Sequence, residues 1–169
     1  SLLGKSSKDP ILTFRKLFEK KYPGGSLAIA RQLSSFCKSI TLISVIGDKN
    51  DEKIFIEKSL PKNVKSIFLK KYNSPTIMKK RYVDFNSNNK LLGIYDLIEN
   101  HVDKKFNNDL IKIVKKNINK NDLTIISDYG HNFITQNMIN EVINKSNFVS
   151  ANVQLNSANS NNHSINFYK

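Results

Sequence analysis

The stretch PGGSLAIARQLSSFCKSITLISVIGD, residues 23–48, decides how the chain reads. Pro23-Gly24-Gly25 breaks the backbone sharply, and two residues without side chains let it turn where others are strained. Beyond the break Leu27, Ala30, Leu33 and Phe36 recur every three residues, with Arg31, Gln32, Ser34 and Ser35 between them, the spacing of a helix that buries one face. Thr41–Ile46 is then a short apolar, β-branched run closed by Gly47-Asp48, which predicts a buried strand.

The same alternation continues downstream. Asp51–Leu60 predicts a short helix and Val64–Leu69 a strand. Phe106, Leu110, Val114 and Ile118 mark a helix with Lys112, Lys115 and Lys116 outside, followed by the strand Leu123–Ser127. Thr135–Asn144, carrying Met138, Ile139, Val142 and Ile143, predicts the next helix, and Phe148–Val153 the last strand. Helices alternating with buried strands predict an α/β fold with a mostly parallel sheet and helices on both faces. Residues 75–96 differ: Thr76–Val83 and Lys90–Tyr95 alternate polar and apolar around a turn at Asn86–Asn89, which predicts a hairpin with one face wet. Ser1–Lys21 reads as extended or mixed, with a turn region at Gly4, Ser6, Ser7 and Pro10. The tail Leu155–Lys169, rich in Asn and Ser, reads as a loop.

Composition sets outer bounds. With 169 residues, 39% hydrophobic and 24% charged, the chain is expected to form one domain rather than a disordered polyelectrolyte or a membrane protein. Cys37 is the single cysteine, so no disulfide closes within the chain, and its apolar-periodic setting predicts a small buried hydrophobe. No basic and apolar leader opens the sequence and no run nears the roughly 18 apolar residues of a membrane span, so the expected compartment is the cytoplasm, with no membrane partner. The formal charge of +13 suggests nucleic acid at first sight. That charge comes from 24 Lys spread over almost every segment and only 3 Arg, alongside 23 Asn, so the bidentate contacts that read bases are nearly missing. Nucleic acid is accordingly an unlikely partner, while an anionic small molecule is drawn to the same field.

Ligands of open parallel sheets sit outside the carboxyl ends of the strands. Three exits carry polar residues: Gly47-Asp48, Ser127-Asp128-Tyr129-Gly130, and Asn152 with Gln154. Asp48 reads as a turn residue capping the helix that starts near Asp51. Asp128 reads either as a turn residue or as a binding carboxylate beside a phenol and a flexible backbone. Gly24 and Gly25, ahead of a helix, allow a ligand to approach the backbone and offer amide donors to hydroxyl or phosphate oxygens, and equally make a tight turn. Lys79 and Arg81 share one strand face with Ile77 and Val83, opposite Met78, Lys80 and Tyr82. Such a cation pair can hold a sugar phosphate or can guard a sheet edge against aggregation. His101, His131 and His163 lack partners at zinc spacing, and neither a phosphate loop nor a Gly-x-Ser-x-Gly elbow is present.

Taken in order, these segments resemble the PfkB, or ribokinase-like, carbohydrate kinases, and among them the sugar-phosphate kinases of the heptose-7-phosphate type. Gly4-Lys5-Ser6-Ser7-Lys8-Asp9-Pro10 resembles the early lid segment, and Pro23–Asp48 resembles the amino-terminal signature. PTIMKKRYV, Pro75–Val83, resembles the lid strand whose cations face the sugar phosphate, and Ser127-Asp128-Tyr129-Gly130 resembles the strand exit before the nucleotide half. The resemblance implies a ribokinase-like three-layer α/β/α domain, present in part over residues 1–169. Lid strands would span about 1–18 and 75–96, and the α/β core about 23–70 and 104–154. It also implies transfer of the ATP γ-phosphate to a sugar hydroxyl with Mg²⁺, substrate contacts from Gly24, Gly25, Lys79, Arg81 and Asp128, and a homodimer through the lid. The sequence departs from the family at three points: Ala28 stands where Asn is usual, Gly130-His131 replaces a Gly/Ala-Lys pair, and no Gly-Ala-Gly-Asp segment with its catalytic carboxylate occurs. The family's first strand is expected to precede Ser1. The 169 residues are therefore expected to bind a sugar without phosphorylating it. A non-catalytic sugar-phosphate-binding or dimerisation module is the competing expectation, and weak RNA binding a third.

Overall fold

A computed structural model describes residues 2–5, 8–9, 11–49, 52–97 and 103–154. The expected loop at 155–169, and Ser6, Ser7 and Pro10 of the expected lid segment, lie outside them. The chain divides into two compact units, Pro23–Thr76 with Leu97–Lys169, and Ser1–Tyr22 with Ile77–Asp96.

The first of these is mixed α/β. Strand β3 (Ile40–Gly47) pairs in parallel with β4 (Val64–Lys71), from Ile40 opposite Val64 to Gly47 opposite Lys71. Side chains alternate across a strand, and both sets here are apolar, so both faces need cover. On one face Leu42 and Val64, with Ile40 and Phe68, meet Ala30 and Leu27 of α1 (Ser26–Leu33). On the other, Ile43 and Leu69 enter a second cluster with Leu110, Val114 and Ile118 of α3 (Lys104–Ile118) and Met138 and Val142 of α4 (Gln136–Lys145). That cluster also takes Ile126 of β7 (Thr124–Asp128) and Val149 of β8 (Val149–Val153), a second parallel pair. Helix α2 (Lys53–Ser59) links β3 to β4 and buries Ile56.

Local chemistry fixes the helix ends. Asp103 accepts from the Phe106 amide at 2.7 Å and Thr135 from that of Met138 at 3.4 Å, so side chains cap α3 and α4. Lys115 of α3 lies 2.7 Å from Glu141 of α4, whose other oxygen meets Lys145 at 3.0 Å. These two cations, Lys115 foremost, hold the Glu141 carboxyl below its ordinary range.

The second unit consists of two antiparallel hairpins, β1 (Leu2–Lys5) with β2 (Leu12–Phe14), and β5 (Met78–Val83) with β6 (Lys90–Asp96). Lys80 meets Glu19 at 3.7 Å, and the rings of Phe18 and Phe85 cross edge to face at 6.1 Å.

Several expectations are corrected. Among the described residues the strands form four two-stranded sheets, two parallel and two antiparallel, instead of one mostly parallel sheet. Helix α1 stops at Leu33: the Asn63 side chain donates to the carbonyls of Ser34 and Cys37 at 2.9 and 3.0 Å, satisfying groups at a helix end and turning the chain toward β3. Phe36 consequently leaves the apolar stripe and is 86% exposed, and Cys37 is only half-buried. The hairpin expected to wet one face is exposed on both along β6, Leu91, Leu92, Ile94 and Tyr95 included.

The core assignment yields a direct expectation. Ile139, 1% exposed, should cost about 2–5 kcal/mol when replaced by alanine, whereas Phe36→Ser should change stability by no more than about 0.5 kcal/mol. Urea unfolding of the two variants checks both values, and comparable losses would contradict this placement of the core.

Candidate functional site

The carboxyl ends of β3 and β4 are tied by the chain that leaves them. A Cβ on Gly47 would lie 2.1 Å from the Ser74 carbonyl oxygen and 2.2 Å from the Pro75 carbonyl carbon, so the segment after β4 crosses the tip of β3 where only glycine leaves room. The Gly47 amide donates to the Thr76 hydroxyl at 3.0 Å, the Asp48 amide to the Ser74 carbonyl at 2.9 Å, and Asp48 Oδ1 accepts from the Ser74 amide at 3.2 Å. Asp48 is thus a loop clamp, which corrects its expected role as a helix cap; α2 begins at Lys53 after Glu52, and no side chain of a described residue caps it.

Gly25 meets the exit of β7. It precedes α1 with φ of 55°, a left-handed value that favours glycine, and a Cβ there would touch Tyr129 at 3.6 Å. No side chain of a described residue caps α1. The amides of Leu27 and Ala28 turn back to the carbonyls of Gly24 and Gly25 at 3.1 Å each. Beneath this turn the Ser26 and Ser44 hydroxyls approach to 3.4 Å. Asp128, 4% exposed at the end of β7, accepts from the Gly130 amide at 2.9 Å, while its carbonyl accepts from Gln154 at 2.8 Å. Gly130 takes a φ of 72°, which lets the loop fold back onto Asp128.

Gly24, Gly25, Ser26, Ser44, Tyr129 and Asp128 therefore belong to one edge of the α/β unit. Backbone donors, hydroxyls, a phenol and a carboxylate there suit a polyhydroxylated ligand better than an apolar one. Lys71 ends β4 only 9% exposed. Burial lowers its pKa, and the Asp103 carboxylate pulls it back up.

Lys79 and Arg81 lie in the hairpin unit and share a strand face, as expected. Lys79 pairs with Tyr95 and Arg81 with Gly93. The Tyr95 ring lies over Gly93, where a Cβ would come within 3.1–3.3 Å of it. Lys79 Nζ is 5.7 Å and Arg81 Cζ 5.9 Å from the ring centre. One phenol thus holds two exposed cations side by side, an arrangement that suits a phosphate or carboxylate arriving from solvent.

The Ser26–Ser44 pair, Lys71 and Tyr95 were not among the residues singled out from sequence, whereas Tyr129 was read there as the phenol beside Asp128. Ser44 interrupts an otherwise apolar run, and Tyr95 falls opposite Lys79 in a hairpin closed at Asn86–Asn89; those were the available signals. Among the described residues no three His, Cys, Asp or Glu side chains converge as a metal site. Neither a protein-family model nor a curated protein sequence matches the chain.

The crossing over Gly47 generates a sharp test. Gly47→Ala puts a methyl group into main-chain atoms and should cost more than about 4 kcal/mol or prevent folding, whereas Thr76→Val strands one buried amide and should cost about 1–3 kcal/mol. Denaturant unfolding measures both, and a Gly47→Ala protein of unchanged stability would contradict the crossing.

Proposed function

We propose that this chain is the sugar-binding part of a carbohydrate kinase of the PfkB type, a ribokinase-like three-layer α/β/α domain with a small β lid. Its substrate is a sugar or sugar phosphate and its compartment the cytoplasm. The observation that carries the reading is the meeting of the Gly24-Gly25 turn with Tyr129, beside Asp128, at the carboxyl ends of parallel strands. In this reading Gly24 and Gly25 give backbone contacts to sugar hydroxyls, Asp128 a polar contact at the strand exit, and Lys79 with Arg81 the clamp on an anionic group.

The kinase reading brings ATP and Mg²⁺ as phosphoryl donor and charge-neutralising ion. The described residues offer no carboxylate cluster for Mg²⁺, and the sequence holds no Gly-Ala-Gly-Asp segment. No catalytic residue, and no residue for ATP or Mg²⁺, is therefore assigned to this chain. The second reading, a non-catalytic sugar-phosphate-binding or dimerisation module, is favoured by the apolar side chains exposed on both hairpins, Leu12 at 57%, Leu92 at 57% and Ile94 at 49%. Pairing such surfaces between two copies would bury them.

Calorimetric titration with fructose 6-phosphate, fructose and inorganic phosphate, for the wild type and Arg81→Ala, tests the sugar-phosphate site. The expected result is preference for the sugar phosphate over either half alone, and an affinity loss of at least tenfold in Arg81→Ala. Equal binding of all three, or no effect of Arg81→Ala, would contradict it, as would tight RNA binding that falls steeply with salt.

A further inference from the structure

The hairpin unit, residues 1–22 and 77–96, has no core of its own. Not one of its described residues is buried. Of the 21 large hydrophobic side chains exposed among the described residues, 14 fall within these 42 positions. The α/β unit, by contrast, buries apolar residues in two clusters. Two-stranded hairpins are marginal in water, and soluble monomers seldom leave apolar surface of this extent uncovered. These side chains call for cover that the hairpins do not give one another.

Charge points to the kind of cover. The same 42 residues carry ten Lys and Arg, two of the chain's three Arg among them, against four Asp and Glu, a formal net charge of +6. A second copy would bring like charge onto like, which opposes the pairing of these surfaces. An anionic partner gains from the same field.

The cations are interleaved with aromatic rings. Lys20 Nζ lies 5.5 Å from the centre of the Phe18 ring, Lys80 Nζ lies 5.7 Å from that of Tyr82, and Lys79 and Arg81 share Tyr95. Cross-strand partners share a face, so one face of β5–β6 carries Lys79, Arg81 and Tyr95 and the other Lys80, Tyr82, Leu92 and Ile94. Both faces therefore mix cationic tips with apolar bodies. A protein footprint gathers its apolar anchors on one side, in a dry centre within a polar rim. A lipid headgroup layer instead surrounds what enters it, takes rings at its apolar boundary and lets long cations reach back to phosphates.

We propose that the hairpin unit attaches to the surface of an anionic phospholipid bilayer. Phe18, Tyr82 and Tyr95 sit at the boundary between headgroups and acyl chains, Leu12, Leu92 and Ile94 enter the acyl side, and the cations beside the rings meet lipid phosphates. The unit lies on the bilayer without crossing it: β6, its longest strand, has 7 residues, and a spanning strand needs about 9–11. The expectation of no membrane partner drew on the lack of a spanning run, and attachment at the surface needs none. In the cytoplasm the surface on offer is the inner leaflet, which is rich in anionic lipid. The attachment goes beyond the sugar-binding reading and shares only Lys79 and Arg81 with it.

Sedimentation of the full chain with vesicles tests the proposal. One set is phosphatidylcholine alone, and the other is phosphatidylcholine with phosphatidylserine at about 3:1. Affinity is expected to be at least tenfold higher for the anionic set and to fall as sodium chloride rises from about 0.1 to about 0.5 M. The double variant Leu92→Ser with Ile94→Ser, which keeps every cation, should lose at least tenfold. Lys112→Ala with Lys116→Ala, on α3 of the α/β unit, should lose less than twofold. Circular dichroism checks that both variants stay folded. Titration of the Leu92→Ser, Ile94→Ser protein with fructose 6-phosphate keeps the two readings apart: sugar-phosphate binding retained while vesicle binding is lost is the expected pattern. Equal affinity for both vesicle sets, unchanged binding in the hairpin variant, or an equal loss in the α3 variant would overturn the proposal. So would a dimer in sedimentation equilibrium that the hairpin variant dissociates, or polyaspartate bound as tightly as the anionic vesicles with the same loss in that variant.

Discussion

Gly47 lacks a side chain where the backbone of Ser74 and Pro75 would collide with one, and the α/β unit is organised around that approach. The segment leaving β4 crosses the tip of β3 and is held there by three side-chain or main-chain bonds from Gly47, Asp48 and Ser74. The segment so pinned ends at Thr76, within the α/β unit. The same edge receives the turn at Gly25, whose left-handed backbone brings α1 against Tyr129. Both glycines are needed for reasons of space or backbone angle, and both lie at strand ends where polar groups collect. The sequence of events is therefore steric first and chemical second.

Much of the α/β unit could be read from periodicity. The strands at Thr41–Ile46, Val64–Leu69 and Phe148–Val153 and the helices over 106–118 and 135–144 depend on local alternation, which the residues carry themselves. Phe36 misled because a three-residue spacing continues in sequence after the helix has stopped, and the cause of the stop, Asn63, is remote in the chain. The split into four strand pairs was likewise not legible, since hydrogen-bond partnership between strands is set by tertiary arrangement. At the candidate site the glycines and Asp128 were visible as turn and exit residues. Tyr129 was visible as the phenol of that exit but its meeting with Gly25 was not, and Ser26 with Ser44 was not visible at all, because each contact joins residues eighteen or more apart.

Charge and exposure divide the molecule into surfaces with different chemistry. The α/β unit buries its apolar residues in two clusters and keeps its lysines outside them. The hairpin unit leaves Leu12, Phe18, Leu92 and Ile94 exposed beside a pair of cations on one phenol. Small two-stranded hairpins are marginal by themselves, so a surface of this kind gains from a ligand or a second chain that covers it. The net charge of +13 acts over the whole surface and favours anions without choosing among them. Any selection among anions has to come from short-range geometry.

The central functional claim is that the turn at Gly24-Gly25 and the exit at Asp128–Gly130 act as one binding edge. Backbone amide shifts of the isotope-labelled protein, recorded while fructose 6-phosphate is added, test it most directly. The account predicts saturable shifts at Gly24, Gly25, Ser26, Tyr129 and Gly130 that share a single dissociation constant. Shifts scattered over the lysine-rich helix surfaces and rising without saturation, with those five amides unmoved, would contradict it.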